Sequence, residues 1–181
     1  MAKLEVGMKM KNFTYNTAWE TGKDFYAEAM GKGKKTVLRF LRYYGCTVCQ
    51  LDTWEMAEEY QRFVDAGANL FVVMQSDPET IREEVKEGEL PYDLICDPTQ
   101  ALYRSLDIGD IEKMEKPGEY LLERAAKAKA RGMVHGKYEG NEQQAPAMFI
   151  MDEEMNVIFA HYGKDPVDLP SIDETIALLK Q

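Results

Sequence analysis

The segment that decides the fold is TVLRFLRYYGCTVC, residues 36–49. Its first half, 36–41, is nearly continuous in apolar and β-favouring residues, which predicts a strand covered on both faces. From Val48 onward apolar residues recur at helical spacing as far as Val64, and Gly67 closes the run, which predicts a long amphipathic helix. Cys46 and Cys49 therefore lie where a buried strand ends and a helix begins.

The position of the two cysteines predicts that they are reactive and can form a disulfide. Residues three apart at a helix start face the same side, within the separation that a disulfide requires. The helix N-terminus stabilises a thiolate and lowers the thiol pKa from about 8.5. We expect Cys46, at or just before the helix start and the more exposed of the two, to attack, and Cys49, one turn in, to resolve.

Two other interpretations of the cysteine pair stay open. Both thiols could be buried packing residues. They could also belong to a structural metal site, although zinc wants four ligands and neither Cys96, His135 nor His161 shows the spacing of a partner.

Outward from this segment, strands and helices alternate. Buried strands are predicted at 69–74 and 94–96, each followed by a helix, at 78–86 and 99–106. An antiparallel hairpin is predicted at 147–151 and 157–161, and a last helix at 171–179. Before the segment, 11–19 suits an edge strand or hairpin arm, and 24–30 a short helix. This order predicts an α/β fold with a central mixed sheet flanked by helices.

The length of 181 residues fits one domain, 1–181. Within it we expect an N-terminal extension at 1–33 and an insertion at 109–144, where the alternation breaks and a charged surface helix is predicted at 120–130. The formal charge of -10 disfavours nucleic acid and anionic membranes as partners. The first residues of the chain lack the continuous apolar stretch of a secretory signal peptide. Three cysteines in a chain without such a signal favour reduced thiols and a cytoplasmic protein.

Pro146, just before a predicted central strand, is the second feature of interest. A proline there can hold a cis peptide bond and place backbone close to the cysteine turn. It can equally be a proline that merely ends the preceding loop.

Taken together, several stretches resemble the peroxiredoxin-like branch of the alkyl hydroperoxide reductase and thiol-specific antioxidant family. They are the strand at 36–41, the turn RYYGCTVC at 42–49, DPE at 77–79, DPTQALY at 97–103, APAMFIMD at 145–152 and AHY at 160–162. The resemblance covers roughly residues 34–110 and 144–180.

The resemblance implies a thioredoxin-like fold and an antioxidant oxidoreductase that reduces peroxides or disulfides. It places the redox-active centre at Cys46 and Cys49, which would form a disulfide, with Pro146 as a facing cis-proline. Tyr43 and Thr47, which flank Cys46, complete the predicted substrate site. No cofactor or metal is expected. The resemblance implies an external thioredoxin- or glutaredoxin-like reductant, and it allows a homodimer by analogy with the family.

Two departures from the family pattern concern how a peroxide would be held. Tyr43 stands three residues before Cys46, where ordinary peroxiredoxins have threonine. No arginine stands at 143–146, where they often place one near the cysteine. The alternative function is a non-catalytic, redox-sensing or partner-binding module that uses the insertion 109–144 as its partner surface.

Overall fold

The computed structural model describes residues 3–32 and 34–181, so residues 1, 2 and 33 of the predicted N-terminal extension lie outside the described residues. In chain order the elements are β1 (Thr14–Tyr15), β2 (Lys23–Asp24), α1 (Phe25–Ala29), β3 (Lys35–Phe40), α2 (Thr47–Glu58), α3 (Tyr60–Asp65), β4 (Ala68–Met74), α4 (Pro78–Glu84), β5 (Asp93–Cys96), α5 (Ala101–Ser105), α6 (Glu119–Ala130), β6 (Ala147–Met151), β7 (Val157–Tyr162) and α7 (Ile172–Leu179).

The main sheet is mixed, as predicted. Its order is β5-β4-β3-β6-β7, with β3, β4 and β5 parallel and with β6 antiparallel to both β3 and β7. β3 is central, and its residues from Thr36 to Phe40 are all buried, which explains its continuous apolar pattern. The short strands β1 and β2 form a separate antiparallel pair near the N-terminus.

Side chains alternate between the two faces of the sheet and build two apolar clusters. One contains Val37, Val72 and Met148 with Cys46 and Cys49, and the other contains Leu38, Phe40 and Phe149. Because the parallel strands β3, β4 and β5 all end at the same edge, the turn after β3 lies beside the residues that follow β4. That edge carries the cysteine pair.

The long helix predicted from Val48 to Val64 is in fact two helices. The break is at Glu59, which has φ -101° and ψ 13° and lies between α2 and α3. Its consequence is that α3 packs against β4 and buries Phe63. Spacing alone did not show this break, since apolar residues on both sides of it keep a helical period.

Across the described ranges, no helix is both long enough and apolar enough to span a membrane.

Candidate active site

The cysteine turn is held against the end of β4 by backbone and side-chain hydrogen bonds. Leu41 N–H donates to the carbonyl of Val73 (2.9 Å), and Gln75 N–H donates to the carbonyl of Arg42 (2.7 Å). One residue further along, Ser76 Oγ accepts from Tyr44 N–H (2.8 Å). The turn is therefore fixed by its neighbour strand before the helix begins.

Cys46 is the N-cap residue of α2, with extended backbone angles, and its carbonyl accepts the helix bond from Gln50 N–H (2.9 Å). Cys49 lies in the first turn, as predicted. Both cysteines are free thiols. The predicted local geometry, a cysteine pair at a helix N-terminus, is present.

The two thiols differ strongly in acidity. A hydrogen bond from the Cys49 thiol, with help from the Arg42 guanidinium and the Cys49 backbone N–H, lowers the pKa of Cys46 to about 6, although burial opposes this. The pKa of Cys49 is raised well above its ordinary value because its proton is held by Cys46 and because it is buried. At neutral pH the pair is one thiolate, Cys46, and one thiol, Cys49.

Arg42 supplies the positive charge beside this thiolate. Its Nη2 donates to Cys46 Sγ (3.0 Å), and its Nη1 donates to the carbonyl of Glu142 (2.7 Å). The guanidinium also lies over the ring of Tyr43, 5.8 Å from its centroid. Residues 143–146 indeed contain no arginine. The arginine beside Cys46 is instead Arg42, from the turn that follows β3. The sequence signal for Arg42 was its position four residues before Cys46.

Residues 133–142, which we name the covering segment, lie over the cysteine turn. Gly136 N–H donates to the carbonyl of Gly45 (2.9 Å), and Gln50 Nε2 donates to the carbonyls of Val134 (3.0 Å) and Gly45 (3.2 Å). The expected exposure of Cys46 is therefore wrong: Cys46 is 2% exposed and Cys49 4%. The reason is a long-range contact, because the cover comes from residues about ninety positions further along the chain.

Helix α6 holds the covering segment in place by docking on α2 through ion pairs. Arg124 pairs with Asp52 (2.6 Å) and with Glu55, and Arg39 of β3 pairs with Asp52 (3.0 Å) from the other side. Lys127 adds a second partner for Glu55 (2.6 Å). The predicted surface helix is thus a packed element whose charged face meets α2.

Tyr43 and Thr47 take different places around Cys46. The Tyr43 side chain is fully buried, and its hydroxyl donates to Glu142 Oε1 and lies 3.0 Å from His135 Nε2. Burial, followed by the bond to Glu142, raises the pKa of Tyr43. Its hydroxyl thus meets the covering segment. Thr47 is the half-buried first residue of α2.

Pro146 is buried at the start of β6, on the same edge of the sheet as the cysteine turn. The cis bond implied for it is wrong: all peptide bonds in the described residues are trans. The trans form is the ordinary preference of an X–Pro bond, and it fits an extended chain in which Ala147 pairs with both Phe40 and Tyr162. The Pro146 carbonyl accepts from Gly163 N–H (2.8 Å).

Other candidate features lie elsewhere. Cys96 is buried at the end of β5, and burial raises its pKa to about 12. A cavity of about 870 Å³ between the N-terminal segment and α5 is lined by Cys96, Met10 and Leu102, but by neither active-site cysteine. Within residues 3–32 and 34–181, no group of three His, Cys, Asp or Glu side chains is placed to hold a metal ion.

Comparisons with known proteins identify the family of the chain. Residues 6–160 match the model of the AhpC/TSA family. Two relatives named prostamide/prostaglandin F synthase are similar in sequence. The one from Salmo salar is 28% identical over 91% of this chain and 82% of its own length, and the one from Danio rerio is 27% identical over 92% and 81%.

Solved structures are similar in fold. The reduced 2-Cys peroxiredoxin of Plasmodium vivax superposes with a TM-score of 0.68 and 13% identity, over 96% of this chain and 79% of that one. The mitochondrial 2-Cys peroxiredoxin of Plasmodium falciparum gives 0.64 and 14%, over 97% and 92%. At these identities the likeness is one of fold, and it confirms the predicted thioredoxin-like, peroxiredoxin-like architecture.

Proposed function

Because the chain belongs to the AhpC/TSA family and is thus a thiol oxidoreductase, we propose that it reduces peroxides or disulfides through the pair Cys46 and Cys49. The observation that carries the proposal is the position of Cys46 at the N-terminus of α2, with its Sγ 3.0 Å from Arg42 Nη2, where the thiol of Cys49 and the guanidinium lower the pKa of Cys46. The thiolate is the nucleophilic form of cysteine, and the lowered pKa makes it the dominant form at neutral pH.

With a peroxide ROOH, the Cys46 thiolate attacks one oxygen and the O–O bond breaks. Cys46 becomes a sulfenic acid, and the leaving RO⁻ takes up a proton to become ROH. The thiol of Cys49 then attacks the sulfenic sulfur, which forms the Cys46–Cys49 disulfide and releases water. Arg42 is placed to stabilise the negative charge that moves from sulfur to oxygen.

With a disulfide substrate, the Cys46 thiolate attacks one sulfur, the substrate S–S bond breaks, and the other sulfur leaves as the first thiol, so that Cys46 is left in a mixed disulfide. Cys49 then loses its proton and attacks Cys46 Sγ, which forms the Cys46–Cys49 disulfide and releases the second substrate thiol. Either route leaves the same oxidised pair. Two electrons from an external dithiol, a thioredoxin- or glutaredoxin-like protein, return it to the reduced form. In this scheme the roles of Tyr43, Thr47 and Pro146 are to shape the substrate site around Cys46.

The relatives named prostamide/prostaglandin F synthase raise a second candidate, a lipid substrate for the same pair. The observation in its favour is the similarity along nine tenths of this chain. It is tested by offering the reduced protein a prostaglandin-type lipid peroxide and measuring its consumption.

The deciding experiment treats the reduced protein with hydrogen peroxide and traps sulfenic acid with a dimedone-type probe. We expect labelling of Cys46 in Cys49→Ser, a Cys46–Cys49 disulfide without labelling in the natural protein, and neither product in Cys46→Ser. Cys96→Ala is the matched control and should behave as the natural protein does. Peroxide consumption no faster than by a free thiol would leave only disulfide reduction or the non-catalytic module.

A further inference from the structure

The cavity of about 870 Å³ lies away from the candidate active site, and we name it the N-terminal groove. One wall is the N-terminal segment, residues 4–16, and the other runs from Ile95 in β5 to Leu106 after α5. Met10, Ile95 and Leu106 belong to the apolar cluster that contains neither cysteine of the candidate site. The volume of the groove is in the range of about 300–1,000 Å³ that is usual for small-molecule sites.

The interior of the N-terminal groove is apolar. Leu4 and Met10 are buried on the N-terminal side, and Ile95 and Leu106 are buried on the opposite side. Met8 also lines the groove, and it remains 40% exposed. Water in the groove therefore meets hydrocarbon and thioether groups, and covering them with a hydrocarbon chain is favourable.

Several polar side chains that line the N-terminal groove already have partners within the fold. Asn16 Oδ1 accepts from Gly22 N–H (2.9 Å), and the Asp97 carboxylate accepts from Leu102 N–H (2.9 Å). Ser105 Oγ donates to the Leu102 carbonyl (2.8 Å). These groups do not need a ligand to satisfy them, so a molecule in the groove would be held there mainly by apolar contact.

The charges of the N-terminal groove favour an anion. Lys9 and Lys11 line it, and both residues are exposed, so their charges lie at its mouth. Within the described ranges, the acidic side chain of the lining is Asp97, which is buried and bonded to backbone N–H groups. The groove is therefore net positive in a chain whose formal charge is -10, and it would attract a negative group and repel a positive one.

From these observations we propose that the N-terminal groove binds a single-chain amphiphile with an anionic head, the chemistry of a fatty acid. The hydrocarbon chain covers the apolar interior, and the carboxylate meets Lys9 and Lys11. This site is additional to the proposed thiol chemistry, because a molecule bound there is a ligand and not a substrate of Cys46.

The test uses the full chain and cis-parinaric acid, a fatty acid whose fluorescence rises in apolar surroundings, below the concentrations at which micelles form. Its displacement by three twelve-carbon competitors separates the head groups. We expect dodecanoate to bind most tightly, dodecanol to bind about three- to fivefold more weakly for want of an ion pair, and dodecyltrimethylammonium to bind most weakly. Decanoate should bind about fifteenfold more weakly than dodecanoate, since each buried methylene contributes a factor of about four.

Two variants test the two halves of the N-terminal groove. Ala101→Trp places a ring at an exposed lining position of α5 and should weaken dodecanoate binding by at least about tenfold through overlap with the chain. Ala126→Trp is its matched control, because it makes the same change at an exposed position of α6 outside the groove. The double variant Lys9→Gln with Lys11→Gln should bind dodecanoate no better than dodecanol and leave dodecanol binding unchanged.

A diazirine-bearing fatty acid locates the site by photocrosslinking and mass spectrometry, and we expect crosslinks within residues 4–16 and 95–106. Crosslinks at the cysteine turn instead overturn the proposal, as does an Ala101→Trp protein that folds and binds like the natural one. Equal binding of dodecanoate and dodecanol, or no displacement by either, also overturns it. Cys46→Ser should bind dodecanoate as the natural protein does, so a failure of the proposed thiol chemistry leaves this result unaffected.

Discussion

Arg42 Nη2 lies 3.0 Å from Cys46 Sγ, so the cation and the proposed nucleophile are four residues apart on a single turn. The turn that follows β3 therefore carries its own activating charge. The Arg42 side chain is largely buried, and its Nε has no hydrogen-bond partner among residues 3–32 and 34–181. Burial keeps the guanidinium poorly solvated and its field strong at the sulfur.

The acidity of Cys46 should be visible as a pH profile. A thiol whose pKa is lowered to about 6 is ionised above that pH, and its reactivity is lost as the pH falls through it. The rate of Cys46 alkylation by iodoacetamide, mapped by mass spectrometry, should reach half its maximum near pH 6. A midpoint between pH 8 and 9, the range of an ordinary thiol, would remove the basis for catalysis.

Loss of the charge of Arg42 should raise the pKa of Cys46. In Arg42→Gln we expect a value of roughly 7 or higher, because an adjacent opposite charge lowers a pKa by about 1–3. Alkylation at pH 6 should then slow by about fivefold. Arg104→Gln removes the same charge from α5, where Arg104 bonds the Thr99 carbonyl, and should leave the profile in place.

Two different replacements of Cys49 can test whether its hydrogen bond to Cys46 lowers the pKa of Cys46. The serine of Cys49→Ser keeps a hydroxyl that can donate to the Cys46 thiolate, whereas Cys49→Ala has no donor. The pKa of Cys46 should therefore rise more in Cys49→Ala than in Cys49→Ser, since this bond is the largest contribution to its low value. Equal midpoints for the two variants in the alkylation profile would contradict the assignment.

The docking of α6 should depend on Arg124 far more than on Lys127. The Arg124 side chain is 13% exposed, and Arg124→Met leaves Asp52 paired only with Arg39 and Glu55 only with Lys127, which should cost about 2–4 kcal/mol in the free energy of unfolding. Lys127→Met removes a 55% exposed partner of the same Glu55 and should cost less than about 1 kcal/mol. Urea unfolding of both variants makes the comparison, and equal losses would be the contrary result.

Much of the architecture could be predicted from the sequence because it depends on patterns among neighbouring residues. The apolar run at 36–41, the alternation of strands and helices, and the closing hairpin at 147–162 each follow from local pattern, and the structure places them within one or two residues of prediction. The helix break at Glu59 was missed because apolar residues on both sides keep a helical period.

The same distinction between local and long-range relations applies to the candidate site. By itself, the sequence determined that Cys46 and Cys49 share one side of a helix start, because this relation spans only a few residues and follows from backbone geometry. Only the tertiary structure decided that Gly136 lies on Gly45, that Tyr43 meets His135 and Glu142, and that the attacking sulfur is enclosed. Those contacts join residues about ninety positions apart, on a segment that follows α6, and α6 docks on α2 through ion pairs between its half-buried Arg124 and carboxylates of α2. No local pattern encodes that match.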